Sequence, residues 1–188
     1  MNAEIDGESL SDQELGSFFV LLVVAGNETT RHAISHTMKA LIDHPRQLER
    51  LLGDPALIPG AVEEFLRWAS PVYHFRRTAT RDVELHGHTV RAGEKIVAWF
   101  AAANRDERIF DGPYRFDVGR RRVDHVTFGK GGPHFCLGNQ LARMEIRIMF
   151  EELIPRLSGG IEPAGEVTRV RSNFINGIKT FPVRAGSR

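Results

Sequence analysis

One segment constrains everything else in this chain: Phe18-Phe19-Val20-Leu21-Leu22-Val23-Val24-Ala25, eight apolar residues in succession with no polar face. It lies inside a pattern that reads as a single long helix. Ser11-Asp12-Gln13-Glu14 has the form of a capping box, in which the serine side chain accepts from a backbone N–H and the glutamate reaches back. The helical pattern continues to about His44, where Pro45 stops it. Such a helix is about 50 Å long at 1.5 Å per residue, longer than a small domain is wide. A stretch that is apolar on every face has to be buried on every face. It is too short to span a membrane, which takes ~20 residues. Burying it asks for more protein than the rest of a 188-residue chain comfortably supplies. The expectation is part of a larger fold.

Composition narrows the class. With 25 Lys+Arg against 24 Asp+Glu, the formal charge of +1 gives no general attraction to nucleic acid or to an anionic membrane. An apolar share of 41% beside 26% charged residues is that of a folded globular chain, not a disordered one. Cys136 is the single cysteine, so no intrachain disulfide is expected. No charged-then-apolar leader opens the sequence, and a cytoplasmic location is expected.

Two shorter helices should follow the long one, Pro45 to Leu52 and about Pro59 to Ala69, the second stopping before Pro71. Val83 to Phe100 reads as β structure with turns at His86-Gly87 and Ala92-Gly93. Asn104 to Pro133 has little periodicity, and a loop of that length in a folded protein is usually functional. A last long helix is expected from about Leu137 to Leu157. The tail, Val167 to Val183, reads as two strands around a turn at Asn176-Gly177.

Three constellations could carry chemistry. The first is Phe128-Gly129-Lys130-Gly131-Gly132-Pro133-His134-Phe135-Cys136-Leu137-Gly138, a glycine-rich loop that delivers the only thiol to the start of a helix. A helix start presents free N–H groups and positive partial charge, surroundings that favour a thiolate. Glycines let a backbone approach a large flat ligand, and a thiolate so held is a good axial ligand for haem iron. A buried structural cysteine is the plainer alternative. No Gly-Lys-Ser/Thr opens the helix, which argues against a phosphate loop.

The second is Ala25-Gly26-Asn27-Glu28-Thr29-Thr30, inside the long helix. The Thr29 hydroxyl can take the carbonyl of Ala25 and bend the helix open, with Glu28 alongside. An acid and an alcohol at a helical defect suit proton delivery to a bound ligand; a kink with a surface glutamate is the even alternative. The third, Glu64 and Arg67, shares one helix face, and by spacing alone means nothing beyond a solvated pair.

Together these motifs resemble the C-terminal half of a bacterial cytochrome P-450, from about Leu10 to Val183. Ala25 to Thr30 is similar to that family's Ala/Gly-Gly-x-Asp/Glu-Thr-Thr, and Glu64 and Arg67 to its Glu-x-x-Arg. Phe116-Asp117-Val118-Gly119-Arg120 is similar to the downstream Phe-Asp-x-x-Arg whose arginine locks the pair, and Asn104-Arg105-Asp106 to the motif before it. The resemblance implies a mainly α fold with small β-sheets, residues 1–188 forming one partial domain without its N-terminal half, since members are about twice this length. It implies haem b (iron protoporphyrin IX) on Cys136, with Phe128 and Gly138 in the ligand loop and Arg77 and His134 as propionate partners. Glu28 and Thr29 would supply protons, and Glu64, Arg67 and Arg120 would be structural. Val24, Ala25, Val72 and Phe174 to Asn176, Ile175 included, would line the pocket.

The family reading also implies a haem-thiolate monooxygenase that uses O2 and reducing equivalents to hydroxylate an apolar substrate. Electrons would come from a ferredoxin-type donor with an NAD(P)H-dependent reductase, which Lys130, Arg121, Arg122 and Arg143 could help to dock. In the usual loop the Phe stands seven residues before the Cys, whereas Phe128 stands eight before Cys136, so Gly132-Pro133 reads as a one-residue insertion. That insertion, Asn27 to Arg31, and Ser172 to Lys179 are similar to actinobacterial members that hydroxylate sterols or branched lipid tails. Two alternatives stand beside this reading: a peroxide-using relative, against which the Glu28-Thr29 pair argues, and a truncated fragment without turnover.

Overall fold

The computed structural model describes residues 4–5, 7–121 and 123–186, so Arg122 lies outside the described residues. A short hairpin, β1 (Glu4–Ile5) and β2 (Glu8–Ser9), leads into the long helix α1 (Asp12–Asp43). The capping box is formed: the Ser11 hydroxyl accepts from the Glu14 N–H at 3.3 Å, and the Glu14 carboxylate accepts from the Ser11 N–H at 2.9 Å. Next come α2 (Pro45–Gly53), opened by its proline, a 3-10 turn at Pro55–Leu57, and α3 (Ile58–Ala69). Ser70 ends α3 in a left-handed conformation with φ of 39°, unusual for a residue with a side chain. Its hydroxyl donates to the Arg67 carbonyl at 2.9 Å, which helps to hold that turn.

The sheets are all small, antiparallel and two-stranded among the described residues. β3 (His74–Thr78) pairs with β6 (Lys95–Trp99), and between them β4 (Val83–Leu85) pairs with β5 (His88–Val90). The β4–β5 turn is His86-Gly87, both with positive φ, as a two-residue hairpin of this twist requires. A one-turn helix α4 (Phe100–Ala103) begins where the β reading was expected to end, and from there to α5 (Asn139–Leu153) no helix or strand occurs among the described residues. The last helix is shorter than its sequence suggested: Pro155 turns its end into a 3-10 segment, Ile154–Leu157. In the tail, β8 (Thr168–Arg169) pairs with β9 (Ile178–Thr180), as the Asn176-Gly177 turn implies. Val183 opens β10 (Val183–Ala185), which pairs instead with β7 (Ile161–Pro163).

One core joins the second half of α1 to α2, α3 and α5. Leu41, Leu51, Ile58, Ala61, Phe65, Ile146, Phe150 and Ile154 are all sealed from solvent within it. Phe65 stacks between Phe150, at 5.0 Å between ring centres, and Phe116, at 6.2 Å. Each fully buried large side chain of this kind stabilises by roughly 1.5–3 kcal/mol. The first half of α1 lies outside that core. Phe18 to Val24 are 43–64% exposed, so on this chain the segment that calls for burial on every side lies at the surface.

Candidate functional site

The Glu64–Arg67 pair, meaningless by spacing, is the best-buried ionic group of the fold. Both side chains are fully inaccessible, and the guanidinium meets the carboxylate through two bonds, Nε to Oε2 at 2.7 Å and NH2 to Oε1 at 2.8 Å. Arg120 adds its Nε to Oε2 at 3.0 Å. The remaining donors all go to backbone carbonyls of the long irregular segment. Arg67 reaches Asn104 at 2.8 Å and Pro113 at 2.9 Å, and Arg120 reaches Asp111 at 2.7 Å and Arg115 at 2.9 Å. Two arginines and one glutamate thus replace the regular hydrogen bonding that residues 104 to 120 lack. A buried charge group is tolerated when its polar atoms are satisfied in this way.

Asn104 passes that anchoring on to the cysteine loop. Its Nδ2 donates to Ser70 Oγ and Thr127 Oγ1, each at 2.9 Å, while its Oδ1 accepts from the Val126 N–H at 2.8 Å. Thr127 in turn donates to the Leu66 carbonyl at 3.0 Å. Phe128 is therefore fixed to the end of α3. From there the loop closes on itself: the Cys136 N–H donates to the Phe128 carbonyl at 3.0 Å. Gly131 and Gly132 both take positive φ, 70° and 75°, a conformation that side chains resist. A Cβ on either glycine would meet nothing within 4 Å, so the loop presents bare backbone to open space.

A second support comes from α5. Arg143 makes a paired contact with Glu63, at 2.7 and 3.0 Å, and donates to Asn139 Oδ1 at 2.8 Å. Asn139 Nδ2 donates to the Cys136 carbonyl at 2.7 Å, and the Arg143 guanidinium lies 4.6 Å over the Phe128 ring. His125 completes the cluster at 3.1 Å from Glu63. Burial would raise the Glu63 carboxyl, but the bonds from His125 and Arg143 outweigh it and hold it down at about 2. Arg143, read as a docking charge, is thus engaged in holding the cysteine loop. Lys130 pairs with Asp124 at 2.6 Å, and Arg121 is exposed.

Gly138 is the residue before α5, and Cys136 is half-buried just ahead of it. Its neighbours Phe135 and Leu137 are 45% and 82% exposed apolar side chains. A sulfur donor, bare glycine backbone and exposed apolar side chains fit a large flat apolar group. Arg77 and His134 are both exposed; the Arg77 guanidinium donates to the neighbouring Arg76 carbonyl at 3.0 Å and lies 5.9 Å over Phe75. They fit an anionic rim to such a group.

On the helix side, Thr29 Oγ1 donates to the Ala25 carbonyl at 2.6 Å, although α1 runs unbroken through Gly26. Glu28 is engaged by Arg31 at 2.7 Å and by His32 at 2.9 Å. Val24 and Ala25 are exposed. Val72 forms a β-bridge with Ile175, and Phe174 packs at 5.5 Å on Phe75, so these residues meet at one place. His32, which helps to hold this region together, carries no sequence signal beyond its spacing from Glu28, whereas Asn176 reads in the sequence only as a turn and pocket-lining residue.

A cysteine on a glycine loop, braced by a buried Glu–Arg–Arg knot, matches the arrangement that the family resemblance implies. The sequence profile of the Cytochrome P450 family matches residues 56–181, and the chain belongs to that family. It is 52% identical over 187 residues to the methyl-branched lipid omega-hydroxylase of Mycobacterium tuberculosis, covering 97% of this chain and 43% of that protein. It is 45% identical to the steroid C26-monooxygenase of Rhodococcus jostii, covering 97% of this chain and 38% of that one. Among solved structures, a cytochrome P450 of Mycobacterium marinum in complex with pseudoionone superposes with a TM-score of 0.91. That match has 50% identity and covers 97% of this chain and 44% of the other. The chain thus spans less than half the length of these relatives.

Proposed function

We propose that this chain is the cysteine-bearing half of a haem-thiolate monooxygenase that hydroxylates an apolar lipid substrate. The carrying observation is the Cys136 loop, closed on the Phe128 carbonyl and braced from α3 and α5. Haem b, when bound, would supply reductive activation of O2 and insertion of one oxygen atom into a C–H bond, with the thiolate favouring O–O cleavage. Cys136 would ligate the iron, the glycine backbone would lie along the ring, and Arg77 and His134 would meet the propionates. Thr29 Oγ1 would hold a proton next to the Ala25 carbonyl, and the half-exposed Glu28 carboxyl would exchange it with solvent. Val24, Ala25, Val72, Phe174 and Ile175 would exclude water from the substrate. A ferredoxin-type donor with an NAD(P)H-dependent reductase would deliver electrons, in the cytoplasm; no helix among the described residues is long and apolar enough to cross a membrane.

Branched-lipid and sterol tails are the favoured substrates, because relatives named for them match nearly the whole chain. In a full-length protein carrying this half, the ferrous–CO form should show a strongly red-shifted Soret band that Cys136→Ser abolishes. An unchanged band in the variant would refute the ligand. Sterols and branched fatty acids should displace water from the ferric iron and shift its spin state; a response to small terpenes only would reject the lipid reading.

A second reading, in which these 188 residues alone do not turn over, is favoured by the exposure of Phe18 to Val24. Expressed by itself, the chain should aggregate or bind haem substoichiometrically. A soluble monomer with one haem and coupled hydroxylation would overturn that reading.

A further inference from the structure

We propose that His32 is the positioning residue for Glu28, and that it ties the orientation of this carboxylate to the turn carrying Phe174 and Ile175. The inference rests on the proton role of Glu28 given above and adds a residue that this role does not include. His32 is fully buried, one helical turn after Glu28, with its Nε2 at 2.9 Å from Glu28 Oε2. Its other nitrogen, Nδ1, lies 3.3 Å from the backbone N of Ile178. A backbone N–H can only donate, so Nδ1 is the acceptor and Nε2 carries the hydrogen. The ring therefore donates to Glu28 because the tail occupies its other side. The tail fixes the tautomer that faces the acid.

The second carboxylate oxygen of Glu28 is held by Arg31, but that side chain is 51% exposed, and an exposed pair of this kind orients weakly. His32 supplies the buried restraint. The turn also comes close to the ring, as only a glycine allows: a Cβ on Gly177 would lie 2.9 Å from His32 Nε2 and 2.7 Å from Val170 Cγ2. The turn is itself pinned by Asn176. Its N–H donates to the Pro71 carbonyl at 2.9 Å, its Nδ2 to the Ala69 carbonyl at 2.8 Å, and its Oδ1 accepts from the Tyr73 hydroxyl at 2.9 Å. Its own carbonyl accepts from His36 Nε2 at 2.9 Å. A substrate bearing on Phe174 or Ile175 therefore loads the same backbone that orients His32. Substrate occupancy and acid orientation are coupled, and coupling of this kind acts in both directions.

The test uses a full-length haem protein carrying this half and three substitutions that divide the two bonds. His32→Gln can place an amide N–H near the position of Nε2, keeping the donor to Glu28. His32→Asn can place an oxygen near Nδ1, keeping the acceptor for Ile178 without reaching Glu28. His32→Leu removes both. Product formed per reducing equivalent should fall by about fivefold in His32→Leu and His32→Asn and be largely restored in His32→Gln. Independently of turnover, amide hydrogen exchange at Ile178 should speed up in His32→Leu and stay slow in His32→Asn.

Glu28→Gln is measured beside them. If it leaves coupling unchanged, the proton role fails and takes the proposal with it. If it lowers coupling while His32→Leu does not, the proton role stands and the His32 proposal alone is overturned. Equal loss in the Gln and Asn variants would assign His32 to packing and also overturn the proposal. Should His32→Leu fail to retain haem, the Gln and Asn variants decide by themselves.

Discussion

The two halves of α1 are one continuous helix with opposite surroundings. From Thr30 to Leu41 the helix buries Thr30, His32, Ala33, His36, Thr37, Ala40 and Leu41 against α3, α5 and the tail. From Phe18 to Val24 it is far more apolar, yet every side chain there is at least 43% exposed. The less hydrophobic half is thus the buried one. Its polar groups find partners, Thr37 on the Ala33 carbonyl and His36 on the Asn176 carbonyl, so burial costs it little. Apolar character says that a segment needs covering; only the packing of other elements says whether this chain covers it.

Because stability is concentrated on the buried side, the largest effect should come from its ionic knot. Glu64→Ala would leave the Arg67 and Arg120 guanidinium groups without their carboxylate in a dry environment. Breaking one partner out of a buried pair costs roughly 3–5 kcal/mol, against a whole-domain stability of only about 5–15. Residues 104 to 120 depend on this knot for their carbonyl partners, so the expected result is loss of the fold, seen as an absent cooperative denaturant transition. A variant with a near-native midpoint would show that the core alone holds the segment.

A matched pair of truncations tests the comparison itself. Leu41 is fully buried and Leu22 is 45% exposed. Leu41→Ala should cost about 2–5 kcal/mol in urea unfolding, whereas Leu22→Ala in the isolated chain should fall below about 1. Repeating both in a full-length protein sharpens the contrast. If the first half of α1 is covered there, the Leu22 cost rises towards that of Leu41; an unchanged small cost would mean that the segment remains a surface.

The same divide explains what was legible in the sequence. Helix boundaries were set by local chemistry, the Ser11 capping box and Pro45, and those came out within a residue or two. Glu64 and Arg67 could be recognised through the family pattern, but their burial depends on residues 104 to 120 folding over them, which spacing does not encode. Strand β3 was invisible for a related reason. His74-Phe75-Arg76-Arg77-Thr78 has no clean apolar alternation, and its pairing with Lys95–Trp99 is made across an intervening hairpin. Among the site residues, the Thr29 bond to Ala25 followed from a four-residue spacing. The roles of Arg143, Asn139 and His32 follow from contacts between elements distant in the chain.

On the buried side, acid should act in two windows. Burial is the main reason that His36 is pushed down to about 4 from an ordinary 6.5, its bond to Asn176 offsetting part of this. As pH falls below 6.5 the unfolded chain takes a proton that folded His36 refuses, so stability is lost between pH 6.5 and 4. At 1.36 kcal/mol per pH unit this amounts to roughly 3 kcal/mol. Glu63 is held at about 2 against 4.5, so its contribution is present above pH 4.5 and lost as pH falls towards 2. Denaturant midpoints measured against pH should show both steps, and His36→Gln should remove the upper one. A profile flat from pH 7 to 4 would mean that His36 is not sealed as described.

The smallest effect is expected at the far end of the exposed half. Ser11 accepts from the Glu14 N–H and satisfies one of the free donors at the start of α1, in a region where no described tertiary contact can substitute for it. Ser11→Ala should cost about 1 kcal/mol of local helix stability. The first turns of α1 should fray, because side chains that are about half exposed in the helix lose little when it opens. The Thr30–Leu41 half should be untouched, its stability being set by the core. Residue-resolved amide exchange checks both statements: faster exchange should begin at the cap and die out before Thr30. If acceleration reached Leu41, the two halves would form a single cooperative unit and would differ in solvent exposure only.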